Sequence, residues 1–274
     1  MELNCFRFET SRTIRKPAAI VGRSLAAVLM LSGPALLAWS GWLVWHFEYG
    51  LGLPDDSKLA AISGTEQICS AGHGRTFIPI AEIPPLLRSA FLASEEPEFY
   101  HRPALLSEYA LGALRNRRPR PAMISTRLAQ CLMPRECCKG LDRPFGALFL
   151  VNRLYKILSK DTIFEIYLND VHLGRGSYGV ADAAASYFGK SLGELGPDEV
   201  AFIVTRARHP FASKDQQSEI DLRNRVIARM RDAGVIGEAA AASATSAPLM
   251  LRDRPEAPQP PAIPRDGPSP AQDQ

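Results

Sequence analysis

Residues 91–103, FLASEEPEFYHRP, set three carboxylates, Glu95, Glu96 and Glu98, beside Phe99, Tyr100 and His101 at the end of an apolar run. A carboxylate held at the edge of an apolar cleft becomes more basic and can take a proton from a hydroxyl. The same cluster on a hydrated helix end does no chemistry. What decides between these is the rest of the chain. Metal chemistry is not indicated: the five histidines are scattered and the cysteine spacing fits no zinc pattern, so no metal ligand is assigned. A net charge of +3 is too small to argue for nucleic acid as a partner.

The elements that must position the acids read as helices. IPPLLRSAFLASEE opens with Pro84 and Pro85 and has apolar residues at helical spacing. FGALFLVNRLYKIL is apolar nearly all round and is expected to be a buried central helix. SKDTIFEIYLN begins with the cap candidates Ser159 and Asp161, and Ile163, Ile166 and Tyr167 share one face. The glycine-rich GRGSYG loop leads into VADAAASYFGK. GPDEVAFIVTRA is a further helix with its own start signal. In DLRNRVIARMRDAG, Leu222, Val226, Ile227 and Met230 form a stripe that Gly234 ends.

Residues 24–45 carry no charge and are long enough to span a bilayer, with Trp39, Trp42 and Trp45 at the far end. Arg7, Arg12, Arg15, Lys16 and Arg23 precede the run, which keeps that flank cytoplasmic and sends the remainder outward. An uncleaved anchor fits better than a signal peptide, since the run is long and the cleavage pattern weak. The expected division is a cytoplasmic segment 1–23, an anchor 24–46, a connector 47–72, a folded domain 73–245 and a proline-rich disordered tail 246–274. Export places Cys69, Cys131, Cys137 and Cys138 in an oxidising compartment, where four cysteines allow three pairings.

LLRSAFLASEEPEFYHR resembles the first motif of the peptidoglycan glycosyltransferases, the transglycosylase domains of class A penicillin-binding proteins and their monofunctional relatives. Ala93, Glu95, Glu96, Phe99 and His101 fill that motif, with Glu96 in place of an aspartate. ISTRLAQCL is similar to the second motif, and the run from Ser159 to Glu199 is similar to the fourth and following ones. The resemblance covers about Ile83 to Ile236. It implies a mainly α fold, a lysozyme-like helical lobe with a smaller membrane-apposed lobe, at a bacterial plasma membrane. It implies polymerisation of a lipid-linked disaccharide into glycan strands by inverting transfer, with Glu95 as general base and Glu96 as its tuning neighbour. One of these adjacent carboxylates is expected to point outward, since burying both is costly. Ser125, Thr126, Arg127 and Arg143 fall at substrate-binding positions. The resemblance admits a divalent cation, Mg or Mn, at the leaving group and makes none certain. Arg115, Arg117, Arg118 and Arg120 would fall in the membrane-apposed lobe, facing anionic head groups or pyrophosphate.

Departures from the pattern concentrate at the leaving group. The third motif of the family carries Arg-Lys and a second glutamate; here Arg143 remains, Pro144 replaces the lysine and Ala147 the glutamate. The paired glycines of the second motif fall near Arg120 and Pro121, and its glutamines on Thr126 and Arg127. Two readings follow: an active glycosyltransferase with an altered pyrophosphate site, or a pseudoenzyme that binds lipid-linked precursor or cell-wall synthesis proteins. A lytic hydrolase is disfavoured by the motif order, and too few residues follow Ile236 for a transpeptidase domain.

Overall fold

The computed structural model describes residues 33–62, 67–70, 74–102, 123–134, 140, 142–211 and 215–253. Chain contacts divide it into two units, Met1–Gly52 and Leu53–Gln274. In the first, residues 33–45 are helical and pass into a π-helical turn, His46–Gly50. Trp39, Trp42 and Trp45 each leave more than half of their surface open, and Trp42 stacks on His46 at 5.1 Å. Among the described residues no helix is long and apolar enough to cross a membrane. Residues 24–32 of the expected anchor, like the arginines at 115–120 and Cys137 and Cys138, lie outside the described residues.

The second unit is mainly helical; among the described residues its β structure is one isolated bridge, His172 to Tyr178. Among the described residues its α-helices are α1 (Asp56–Ala60), α2 (Pro85–Glu95), α3 (Met123–Leu132), α4 (Asp142–Ile157), α5 (Lys160–Asp170), α6 (Val180–Phe188), α7 (Pro197–Arg208), α8 (Gln216–Asp232) and α9 (Glu238–Ser246). Local chemistry sets their ends. Pro85 opens α2 without losing a needed donor. The Ser159 hydroxyl accepts from Thr162 N, 3.0 Å, at the start of α5. Asp215 accepts from Gln217 N and Ser218 N at the start of α8, and Gly234 ends that segment with φ 70°.

The central helix is α7, not α4. Every residue from Val200 to Ala207 is buried, because α2, α6, α8 and α9 all pack around α7. Helix α4 packs against α3 and α1 and leaves Phe145 46% exposed, so its all-round apolar surface is only partly used. Within α7, the Arg206 guanidinium is buried and forms a two-point pair with the Glu219 carboxylate of α8. Arg223 of α8 donates to the carbonyls of Thr245 and Ala247, holding the end of α9.

The C-terminal end of α5 binds an extended segment from earlier in the chain. Asp170 accepts from the backbone amides of Ile68, Cys69 and Ser70, with the Arg75 guanidinium 3.7 Å away. Asn169 brackets Ile78, accepting from its N–H and donating to its carbonyl, both at 2.8 Å. Glu165 accepts from Ile80 N, 2.7 Å. Residues 68–70 of the expected connector 47–72 are therefore fixed against α5 by a side chain whose effect local periodicity cannot show. Gly179, at φ 82°, opens α6; a Cβ there would lie 2.3 Å from the Asn169 carbonyl oxygen. Part of the expected tail 246–274 packs on the domain: Leu249 is buried and Arg252 N donates to Tyr187 O at 2.7 Å.

Candidate active site

Helical periodicity carries the acid inward. On α2, Leu87, Ala90 and Phe91 form the buried stripe, and the same face continues at Ser94 and Glu95. The Glu95 carboxylate is enclosed, and its Oε1 accepts from Arg208 Nε at 2.7 Å. Arg208 ends α7 and also donates to Ser94 O, while Arg229 of α8 donates to Ser94 Oγ. The second oxygen, Glu95 Oε2, is buried with no hydrogen-bond partner among the described residues.

Glu96 leaves helical geometry, and the following turn returns the chain so that Arg102 Nε comes within 3.3 Å of Glu96 Oε1. Glu96 Oε2 accepts from Ile124 N, 3.2 Å, at the start of α3. Both neighbouring carboxylates are thus buried, against the expectation that one would point outward. Each has its own guanidinium, which offsets the desolvation that would drive an unpaired acid to the surface. Glu98 and His101 are exposed.

Helix α3 carries three predicted site residues, in different surroundings. Ser125 is fully buried and shares a 2.6 Å hydrogen bond with the Tyr155 hydroxyl of α4. Thr126 and Arg127 are half-buried. Arg127 and the exposed Arg143 line one cavity of about 330 Å³ together with Tyr167, His172, Tyr178, Leu128, Gln130, Ile166, Val171 and the Cys69–Cys131 pair. Those two cysteines form a disulfide that ties the segment held by Asp170 to α3. Ala147, where the resemblance expects a glutamate, is buried in α4.

Three residues that sequence reasoning did not assign to the site complete it. Arg208 lies 113 positions from its partner, so spacing gave no signal. Lys160, at the start of α5, sets its ammonium 3.2 Å from the Tyr155 ring centroid. Burial lowers its pKa to about 8, against the opposing pull of Glu96. Tyr167 is 3% exposed, and its hydroxyl has no hydrogen-bond partner among the described residues. Burial and then the Glu95 charge push that hydroxyl well above the usual tyrosine range.

The family pattern described as Transglycosylase matches residues 63–231. The chain belongs to the peptidoglycan glycosyltransferase family. The chain is 32% identical over 256 residues to penicillin-binding protein 1A of Rickettsia felis, covering 83% of this chain and 31% of that protein. It is 33% identical over 185 residues to penicillin-binding protein 1A of Escherichia coli, covering 62% of this chain and 21% of that one. The chain thus spans about a third or less of the length of these relatives. Penicillin-binding protein 1A of Haemophilus influenzae aligns over 67% of this chain and 19% of its own, with 24% identity and a TM-score of 0.41.

As to a divalent cation, no group of three or more His, Cys, Asp or Glu side chains among the described residues is placed to hold one. The charged side chains of the cavity are guanidiniums, which do not ligate metals. Among the described residues no such group fits a divalent cation, and no chemical step is assigned to one.

Proposed function

We propose that this transglycosylase polymerises a lipid-linked disaccharide pyrophosphate at the outer face of a bacterial plasma membrane. Residues 24–46 hold it there as a single-pass anchor with the N-terminus cytoplasmic, next to the lipids in which the substrate's tail resides. Glu95 is the general base. The observation that carries this reading is the asymmetry of its carboxylate: Arg208 fixes Oε1, while Oε2 has no hydrogen-bond partner among the described residues. A substrate hydroxyl that reaches Oε2 gains a positioned acceptor for its proton as it attacks the sugar carbon from the face opposite the leaving group. Arg127 and Arg143 supply positive charge for the departing pyrophosphate. Glu96 anchors α3 through Ile124 N rather than taking part in proton transfer.

A second reading is favoured by Ala147. With no acid on α4 at that position, the family scaffold would serve as a binder of precursor or of cell-wall synthesis proteins. One experiment separates the two. The full chain in bilayers is supplied with lipid-linked disaccharide-peptide precursor, with and without Mg or Mn. Polymer from the wild type that is lost in Glu95→Gln supports catalysis. Retained precursor binding with no polymer under any condition supports the binder.

A further inference from the structure

We propose that the Tyr167 hydroxyl is a ligand-binding group of the Arg127–Arg143 cavity, donating a hydrogen bond to an oxygen of the bound pyrophosphate or its sugar. The proposal rests on the reading of that cavity as the site of the lipid-linked substrate. It is carried by three observations. Tyr167 is 3% exposed and forms part of the cavity wall. Its hydroxyl has no hydrogen-bond partner among the described residues, although a phenol sequestered from water ordinarily finds one. The ring itself is well placed without the hydroxyl: it meets Phe91 edge-on at 6.0 Å, and Phe91 is fully buried. A phenylalanine would make these contacts equally well, so packing gives no account of the oxygen.

Two neighbours give the hydroxyl its direction of use. Arg127 Nε, on the same cavity, is also buried without a hydrogen-bond partner among the described residues. Glu95 Oε2 is a third such atom, and its charge reaches Tyr167. A donor, a cation and an acceptor left open in one region form a set that a phosphate- and hydroxyl-bearing ligand would complete. Burial favours the protonated phenol, so Tyr167 acts as a donor, not as an acid or base.

Removing the oxygen separates this role from a structural one, because the two predict opposite signs. Tyr167→Phe is expected to melt at the same temperature as the wild type or higher, since it deletes a buried unpaired polar atom. It is expected to bind lipid-linked precursor, and inorganic pyrophosphate in titration calorimetry, about tenfold more weakly. If the wild type polymerises and Tyr167→Phe matches its KM and kcat, the proposal is overturned while the catalytic reading stands. If neither protein polymerises, binding decides: a weaker Tyr167→Phe supports the ligand contact, and equal affinities overturn it. A drop in melting temperature with unchanged affinity also overturns it, assigning the hydroxyl to the fold.

Discussion

At the scale of single residues, the two buried carboxylates of the site are each neutralised by a guanidinium. Glu95 with Arg208 and Glu96 with Arg102 each satisfy the cost of burial locally, so two adjacent acids coexist in one interior. Lys160 has no such pair among the described residues, and its response to pH follows. Below about pH 8 the folded protein holds an ammonium that burial disfavours, whereas the unfolded chain keeps the proton up to its ordinary value of 10.5. Stability is therefore expected to rise between about pH 8 and 10.5, by about 1 kcal/mol given the solvent that still reaches the group. Lys160→Met removes the titration, and urea unfolding across that window is expected to show a flat profile for the variant. The acid was legible in sequence because the apolar stripe of α2 runs straight into Glu95. Its guanidinium partner was not, because Arg208 comes from a helix that meets α2 only in the folded chain.

At the scale of elements, the transglycosylase domain depends on α5 as a binding rail for residues 68–70, Ile78 and Ile80. Asp170→Ala strips three backbone amides of their acceptor and is expected to lower stability by about 3 kcal/mol, read from the urea midpoint. Gly179→Ala puts a methyl group against the Asn169 carbonyl at a positive φ and is expected to cost at least as much, seen as a lowered melting temperature. Cys69–Cys131 closes a long loop onto α3, so reduction is expected to lower stability by about 3–4 kcal/mol, again from the urea midpoint under matched oxidised and reduced conditions. Helix boundaries were largely readable from caps and periodicity, as at Ser159 and Pro85. The pairing of Cys69 with Cys131 was not, because four cysteines leave three options open until the rail on α5 brings one partner to α3. The prominence given to α4 over α7 has a similar cause. Apolar content measures what a helix could bury, while burial itself depends on how many neighbours surround it.

At the scale of the whole molecule, the helical family scaffold is kept, and Pro144 and Ala147 stand where the resemblance expects charged groups of the third motif. If Arg127 and Arg143 compensate, each should matter to turnover more than to fold. Arg127→Gln is expected to slow polymerisation about a hundredfold with a melting temperature close to that of the wild type. The proposed anchor predicts that the full chain stays with the membrane pellet after an alkaline carbonate wash; release into the supernatant would contradict it. The measurement that bears most directly on the account is single-turnover kinetics of Glu95→Gln beside the wild type, with precursor binding recorded on the same samples. The amide can still accept from Arg208 but cannot take a proton. The account predicts precursor affinity within about threefold of the wild type and a chemical step slower by about a thousandfold. Equal rates for the two proteins would contradict it.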